Sequence, residues 1–118
     1  MELKEFYEKV GGDFDGVFSR LAKEERIVKY LKMFYSGDDF SSVYKAYEEK
    51  DYPELFRSTH NLKGIALNLG LSKLAGSSSE LCELVRNKEP ECDLTPFVET
   101  VKEDYFQAKE CLKEFWGL

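Results

Sequence analysis

The stretch Asp51-Tyr52-Pro53-Glu54-Leu55-Phe56-Arg57-Ser58-Thr59-His60-Asn61-Leu62-Lys63-Gly64-Ile65-Ala66-Leu67-Asn68-Leu69-Gly70 decides the fold. Its apolar positions recur at three- and four-residue intervals, the period of an α-helix with one buried face, and predict a helix from Pro53 to Leu69. Proline suits a first helical turn while the residue before it is pushed toward extended geometry, so Asp51-Tyr52-Pro53 marks the start. Gly70 ends the run. With about 100° per residue, Leu55, Leu62, Ala66 and Leu69 fall roughly 180° to 240° from His60 and form the core stripe. His60, the only histidine of the chain, lies nearly opposite and is expected to meet solvent. Phe56, Arg57, Lys63, Gly64 and Leu67 share its side of the helix. The two large apolar groups among them, Phe56 and Leu67, read with Arg57 as a docking surface unless another helix covers them.

The same period runs through the rest of the chain, and no hairpin dipeptide separates alternating runs, so the fold class is all-α. A short helix from about Glu2 to Val10 stops at Gly11-Gly12, and Asp13 caps a second that runs through Leu21. Lys23 to Tyr35 reads as a third, with Ile27, Val28, Leu31 and Phe34 on one stripe. Asp38 or Asp39 caps a fourth, Phe40 to Lys50, carrying Val43, Tyr44 and Tyr47. Beyond Gly70, Ser72 is a good N-cap for a helix through Arg86 or Asn87. Lys88 to Asp93, with Pro90, reads as a loop. A last helix runs from Thr95 or Pro96 to about Phe115. Short connections between helices of this length favour antiparallel neighbours. The expected architecture is an antiparallel four-helix bundle over about residues 39–116, with short additional N-terminal helices over about residues 2–35.

At 118 residues the chain is expected to be one domain, too short for a kinase acting on its own histidine. A formal net charge of −6 argues against a nucleic-acid partner and against a polybasic membrane anchor. No segment has the charged and apolar regions of a secretion signal, and none approaches the roughly 18 apolar residues of a membrane span. A cytoplasmic, monomeric protein with protein partners is the expectation. Cys82, Cys92 and Cys111 are odd in number and lack C-x-x-C spacing, so reduced, mostly packing thiols are expected and a zinc site is not.

Several chemistries lack their parts. There is no G-x-S-x-G elbow for a hydrolytic serine, no convergent set of metal ligands and no glycine-rich phosphate loop. Nucleophilic group transfer by one imidazole remains, and a phosphoryl group fits best. An ordinary imidazole, with a pKa of about 6.5, is largely unprotonated near neutral pH and offers a lone pair to phosphorus. Lys63, one turn away, with or without Arg86 from the next helix, would offset the charge of the product. Gly64 would leave room for the donor or acceptor. Glycine in a helix interior costs about 1 kcal/mol relative to alanine, so it needs a reason of this kind. Transfer between two proteins requires an accessible histidine, because the other protein must bring its own active site and metal.

These residues resemble a known family. His60-Asn61-Leu62-Lys63-Gly64, followed by Asn68-Leu69-Gly70, is similar to the H-x-L-K-G…G signature of histidine-containing phosphotransfer (HPt) domains of two-component phosphorelays. The likeness extends through Leu74-Ala75 to Leu84-Val85-Arg86, and Gly11-Gly12-Asp13-Phe14 to Leu21 is similar to small single-domain members, so essentially the whole chain is covered. The resemblance implies that His60 is phosphorylated at Nε2 by an aspartyl phosphate of a receiver domain, in a hybrid kinase or response regulator, and passes the group to another receiver's aspartate. It implies Lys63 as charge partner, Gly64 as access position and no cofactor of the chain's own, with Mg2+ on the partner receiver domain. Where members often have a glutamine that orients the other ring nitrogen, this chain has Cys82. Ser78, Ser79 or water would then orient the ring, and Arg86 matches a basic position of some members. A non-catalytic helical adaptor that binds a receiver or kinase domain is the alternative.

Overall fold

The computed structural model describes residues 1–118, arranged as seven α-helices and no strand. They are α1 (Leu3–Val10), α2 (Phe14–Leu21), α3 (Glu24–Ser36), α4 (Asp39–Glu48), α5 (Tyr52–Asn68), α6 (Ser72–Leu84) and α7 (Thr95–Trp116). The last four form the bundle, in which α5 packs against α4 and α6 while α7 closes the far side. The N-terminal helices lie along it, α1 and α3 against α7, and α2 against α3. The apolar stripes meet in one core that includes the fully buried Leu55, Leu62, Ala66, Leu81, Val98, Val101, Tyr105 and Leu112. None of the helices is long and apolar enough to cross a membrane.

Local chemistry explains several helix ends. Asp13 and Asp51 each accept from the backbone N–H three residues on, at Gly16 and Glu54, and so satisfy one free donor of α2 and of α5. Ser72 is not the N-cap of α6. That position is Leu71, without a side-chain cap, and the whole connection is a Schellman turn. Leu71 N–H donates to the Ala66 carbonyl at 2.9 Å and Gly70 N–H to that of Leu67 at 3.2 Å, with Gly70 at φ +67°. Burying Leu71, rather than capping with Ser72, decides where α6 begins. At its other end α6 stops at Leu84, short of Arg86 and Asn87. Val85 turns into the core and the chain leaves through Asn87 at φ +54°. Asp38 occupies the N-cap of α4 but accepts from the Ser41 hydroxyl, and the Asp39 N–H donates instead to Tyr105 Oη of α7 at 3.0 Å.

The N-terminal helices hold the end of α5. Its last carbonyls have no partner within the helix. Arg20 donates to those of Leu67 and Asn68, the buried Tyr7 hydroxyl donates to that of Leu69 at 2.7 Å, and Asp13 N–H donates to that of Gly70 at 2.8 Å. Burial pushes the Tyr7 phenol well above its ordinary pKa, so it stays a donor. The junction is tight: a Cβ at Gly70 would overlap Val17 Cγ2 and lie 2.8 Å from the Asp13 carbonyl oxygen. Gly70→Ala is therefore expected to destabilise the chain by about 2 kcal/mol, through left-handed strain and overpacking together. Urea unfolding followed by circular dichroism measures it, and an unchanged midpoint would show that this junction adds nothing to stability.

Candidate functional site

The site is the exposed side of α5, built on the three- and four-residue spacing of one helix. Leu55, Leu62 and Ala66 anchor the opposite side with no exposure at all, and Thr59 adds a buried hydroxyl that donates to the Leu55 carbonyl at 2.7 Å. This fixes the rotation of the helix. His60 consequently stands in solvent, as its angular position predicts, with Gly64 exposed one turn on and Leu67 53% exposed one turn beyond that.

Lys63 is half-buried rather than fully exposed. The two cations of α5 differ in their engagements. Arg57 donates to both oxygens of Glu54 at 3.0 Å, a surface pair that contributes little to stability. Lys63 has no carboxylate within ion-pair distance, although its charge, after that of Arg86, helps hold the Glu83 carboxyl below its ordinary pKa. Gly64 has open space around it: a Cβ there would meet nothing within 4 Å.

Phe56 is less open than its angular position predicts. It is half-buried against the core, with its ring 5.9 Å from the imidazole centroid at an interplanar angle of 25°. Arg86 reaches the same ring, its Cζ 5.0 Å from the centroid, because the early end of α6 lets the chain swing there. Its guanidinium is shared with Glu83, which accepts from Nη2 at 2.8 Å and from Nε at 3.1 Å. Of the apolar pair, Leu67 alone is a largely open surface group.

The residues expected to orient the ring do not reach it. Cys82 is buried and its thiol donates to the Phe56 carbonyl at 3.8 Å, one turn below His60. Ser78 is buried with Oγ unpartnered, and Ser79 is half-exposed. No hydrogen bond joins any of the three to the imidazole. Cys92, expected to pack, lies exposed in the loop before α7. The Phe56–His60 stacking was open to sequence reasoning through its four-residue spacing. The Arg86 contact was not, since it depends on where α6 ends.

An accessible imidazole with an unpaired ammonium one turn away and an open backbone position beside it suits group transfer to or from another macromolecule. It does not enclose a small substrate. Neither the curated proteins nor the solved structures provide a match to the chain. A family model described as Hpt domain matches residues 35–114, which span α4 to α6 and most of α7 and leave α1, α2 and nearly all of α3 outside, a narrower reach than the likeness in sequence had implied. Bundle, exposed histidine and family match agree, and the chain belongs to the Hpt domain family of two-component phosphorelay signalling.

Proposed function

We propose that His60 is the phosphoryl carrier of this chain, loaded by the aspartyl phosphate of one receiver domain and discharged to the aspartate of another. The observation that carries the reading is the side of α5 on which His60, the unpaired Lys63 and the open Gly64 sit together. In the loading step the Nε2 lone pair attacks phosphorus. The N–P bond forms as the P–O bond to the aspartate breaks, and the carboxylate leaves with the electron pair. Nδ1 keeps the ring proton. The reverse step delivers the group to the second receiver, so the chain needs no cofactor of its own. Mg2+ on the receiver stabilises the charge that develops on the transferring oxygens.

Lys63 supplies the chain's own share of that stabilisation. Its ammonium is free to pair with the phosphoryl oxygens, whereas Arg57 and Arg86 are held by glutamates. Incubation with a phosphorylated receiver is expected to load the protein. Lys63→Ala is expected to slow loading about tenfold, less than the loss of a fully enclosed donor because the site is open to water. Its unfolding free energy should change by less than about 1 kcal/mol. A loading rate equal to wild type, in a variant shown to be folded, would remove Lys63 from the mechanism.

A further inference from the structure

In-line transfer requires Nε2 to point along one direction, and an exposed imidazole that turns freely about its side-chain bonds does so only part of the time. A hydrogen bond to Nδ1 would restrict it, but the Cys82 thiol is engaged by the Phe56 carbonyl and Ser78 Oγ bonds to nothing. The contact His60 does make is with Phe56. The centroid separation of 5.9 Å and the angle of 25° fall in the range of offset-stacked aromatic pairs. Phe56 is itself restrained. Its ring packs on the core, its carbonyl accepts from Thr59 Oγ1 at 3.1 Å as well as from Cys82, and the Arg86 guanidinium lies 5.0 Å from its centroid. Arg86 is in turn hydrogen-bonded to Glu83, with two of its nitrogens donating to the carboxylate.

We propose that Phe56 is the positioning residue for His60: its ring, braced by the Arg86–Glu83 pair, sets the direction of the imidazole in place of a hydrogen bond to Nδ1. The inference rests on phosphotransfer at His60 and adds how that ring is aimed. It moves Phe56 from the docking surface to the machinery beneath it. It also makes Arg86 a brace for the aromatic ring, with its Nε–H and one Nη2–H, two of five donors, already given to Glu83. Guanidinium on an aromatic face is a favourable contact in its own right, so the brace holds without any group touching the histidine. Stacking fixes the plane of the imidazole while leaving both nitrogens open, Nε2 to react and Nδ1 to keep its proton.

The test uses the full chain with Phe56→Leu, Phe56→Tyr and Arg86→Met and two measurements. Nuclear magnetic resonance reports the side-chain rotamer of His60 and the ring-to-ring Overhauser contact in the free protein. Single-turnover transfer from a phosphorylated receiver, over a range of receiver concentrations, separates the maximal rate from the half-saturating concentration. Phe56→Leu is expected to average the His60 rotamers and to lower the maximal rate about five- to tenfold, the scale on which one aromatic pair biases a population, with half-saturation unchanged. Phe56→Tyr should retain both properties, and Arg86→Met should lose part of each. Unchanged rotamers and rate in folded Phe56→Leu would overturn the proposal. A rise in half-saturation alone would also overturn it and restore Phe56 to docking. If Phe56→Leu does not fold, Arg86→Met decides: averaged rotamers with a lowered maximal rate support the proposal, and both unchanged would overturn it. A wild-type chain that takes no phosphate would sink the phosphotransfer reading, and the rotamer measurement would then decide the positioning by itself.

Discussion

His60→Gln is expected to abolish uptake of acid-labile phosphate from a phosphorylated receiver domain while leaving the bundle intact. Glutamine keeps the length and polarity of the side chain but offers no nucleophilic ring nitrogen, so no N–P bond forms and the loss should be complete. Folding should not follow. The side chain is exposed, it makes no hydrogen bond that the core depends on, and glutamine is a slightly better helix former than histidine. A change within about 0.5 kcal/mol in unfolding free energy is the expected scale for such a surface position. Labelling that persisted in the variant would place the phosphate elsewhere and end the proposed mechanism. If the wild-type chain bound a receiver but was never labelled, and the variant bound equally, the chain would be a helical adaptor. Binding measured in parallel, by calorimetry or by interferometry, separates those outcomes because docking and chemistry use different atoms.

The parts of the fold that were legible in the sequence are those set within a single turn or along a single stripe. Leu55, Leu62, Ala66 and Leu69 are all buried, and Asp13, Asp51 and Gly70 punctuate the chain where their chemistry predicts. The exposure of His60 followed from those same residues, since fixing one face of a helix fixes the opposite one. Features that depend on the distance to a neighbouring helix were not legible. Phe56 lies on the histidine side by angle, yet its ring is half-buried against the core, with the Arg86 guanidinium from the turn after α6 over its face. The family resemblance puts Cys82 where members often have a glutamine that orients the imidazole, but its thiol meets the Phe56 carbonyl, one turn lower. The locking of α5 by Tyr7 and Arg20 joins residues 62 and 47 positions apart, a pairing with no local signature in the chain. It gives the N-terminal helices a role in holding the histidine helix, although they lie almost wholly outside the family match.

Enlarging Gly64 should separate the needs of the fold from those of the partner. A glycine inside a helix costs about 1 kcal/mol relative to alanine, and here no neighbour explains it, since a Cβ would meet nothing within 4 Å. Gly64→Ala is therefore expected to raise unfolding free energy by up to about 1 kcal/mol. If the open position serves the approach of a receiver, the same gain in stability comes with slower transfer. Gly64→Leu carries the argument further: its side chain extends into solvent within the free chain but lies one turn from His60, where the incoming phosphoryl group and its protein must pass. Holding the reacting atoms even about 1 Å too far apart costs on the order of 100-fold, so a loss of about 100-fold in transfer from a receiver is expected for Gly64→Leu, with folding near wild type. Loading by a small donor such as phosphoramidate should fall much less, because that donor needs no protein surface to pass the leucine. Equal losses with the small and the protein donor would mean that leucine disturbs His60 itself. Transfer from the receiver at the wild-type rate would mean that the open position of α5 is not the path by which phosphate arrives.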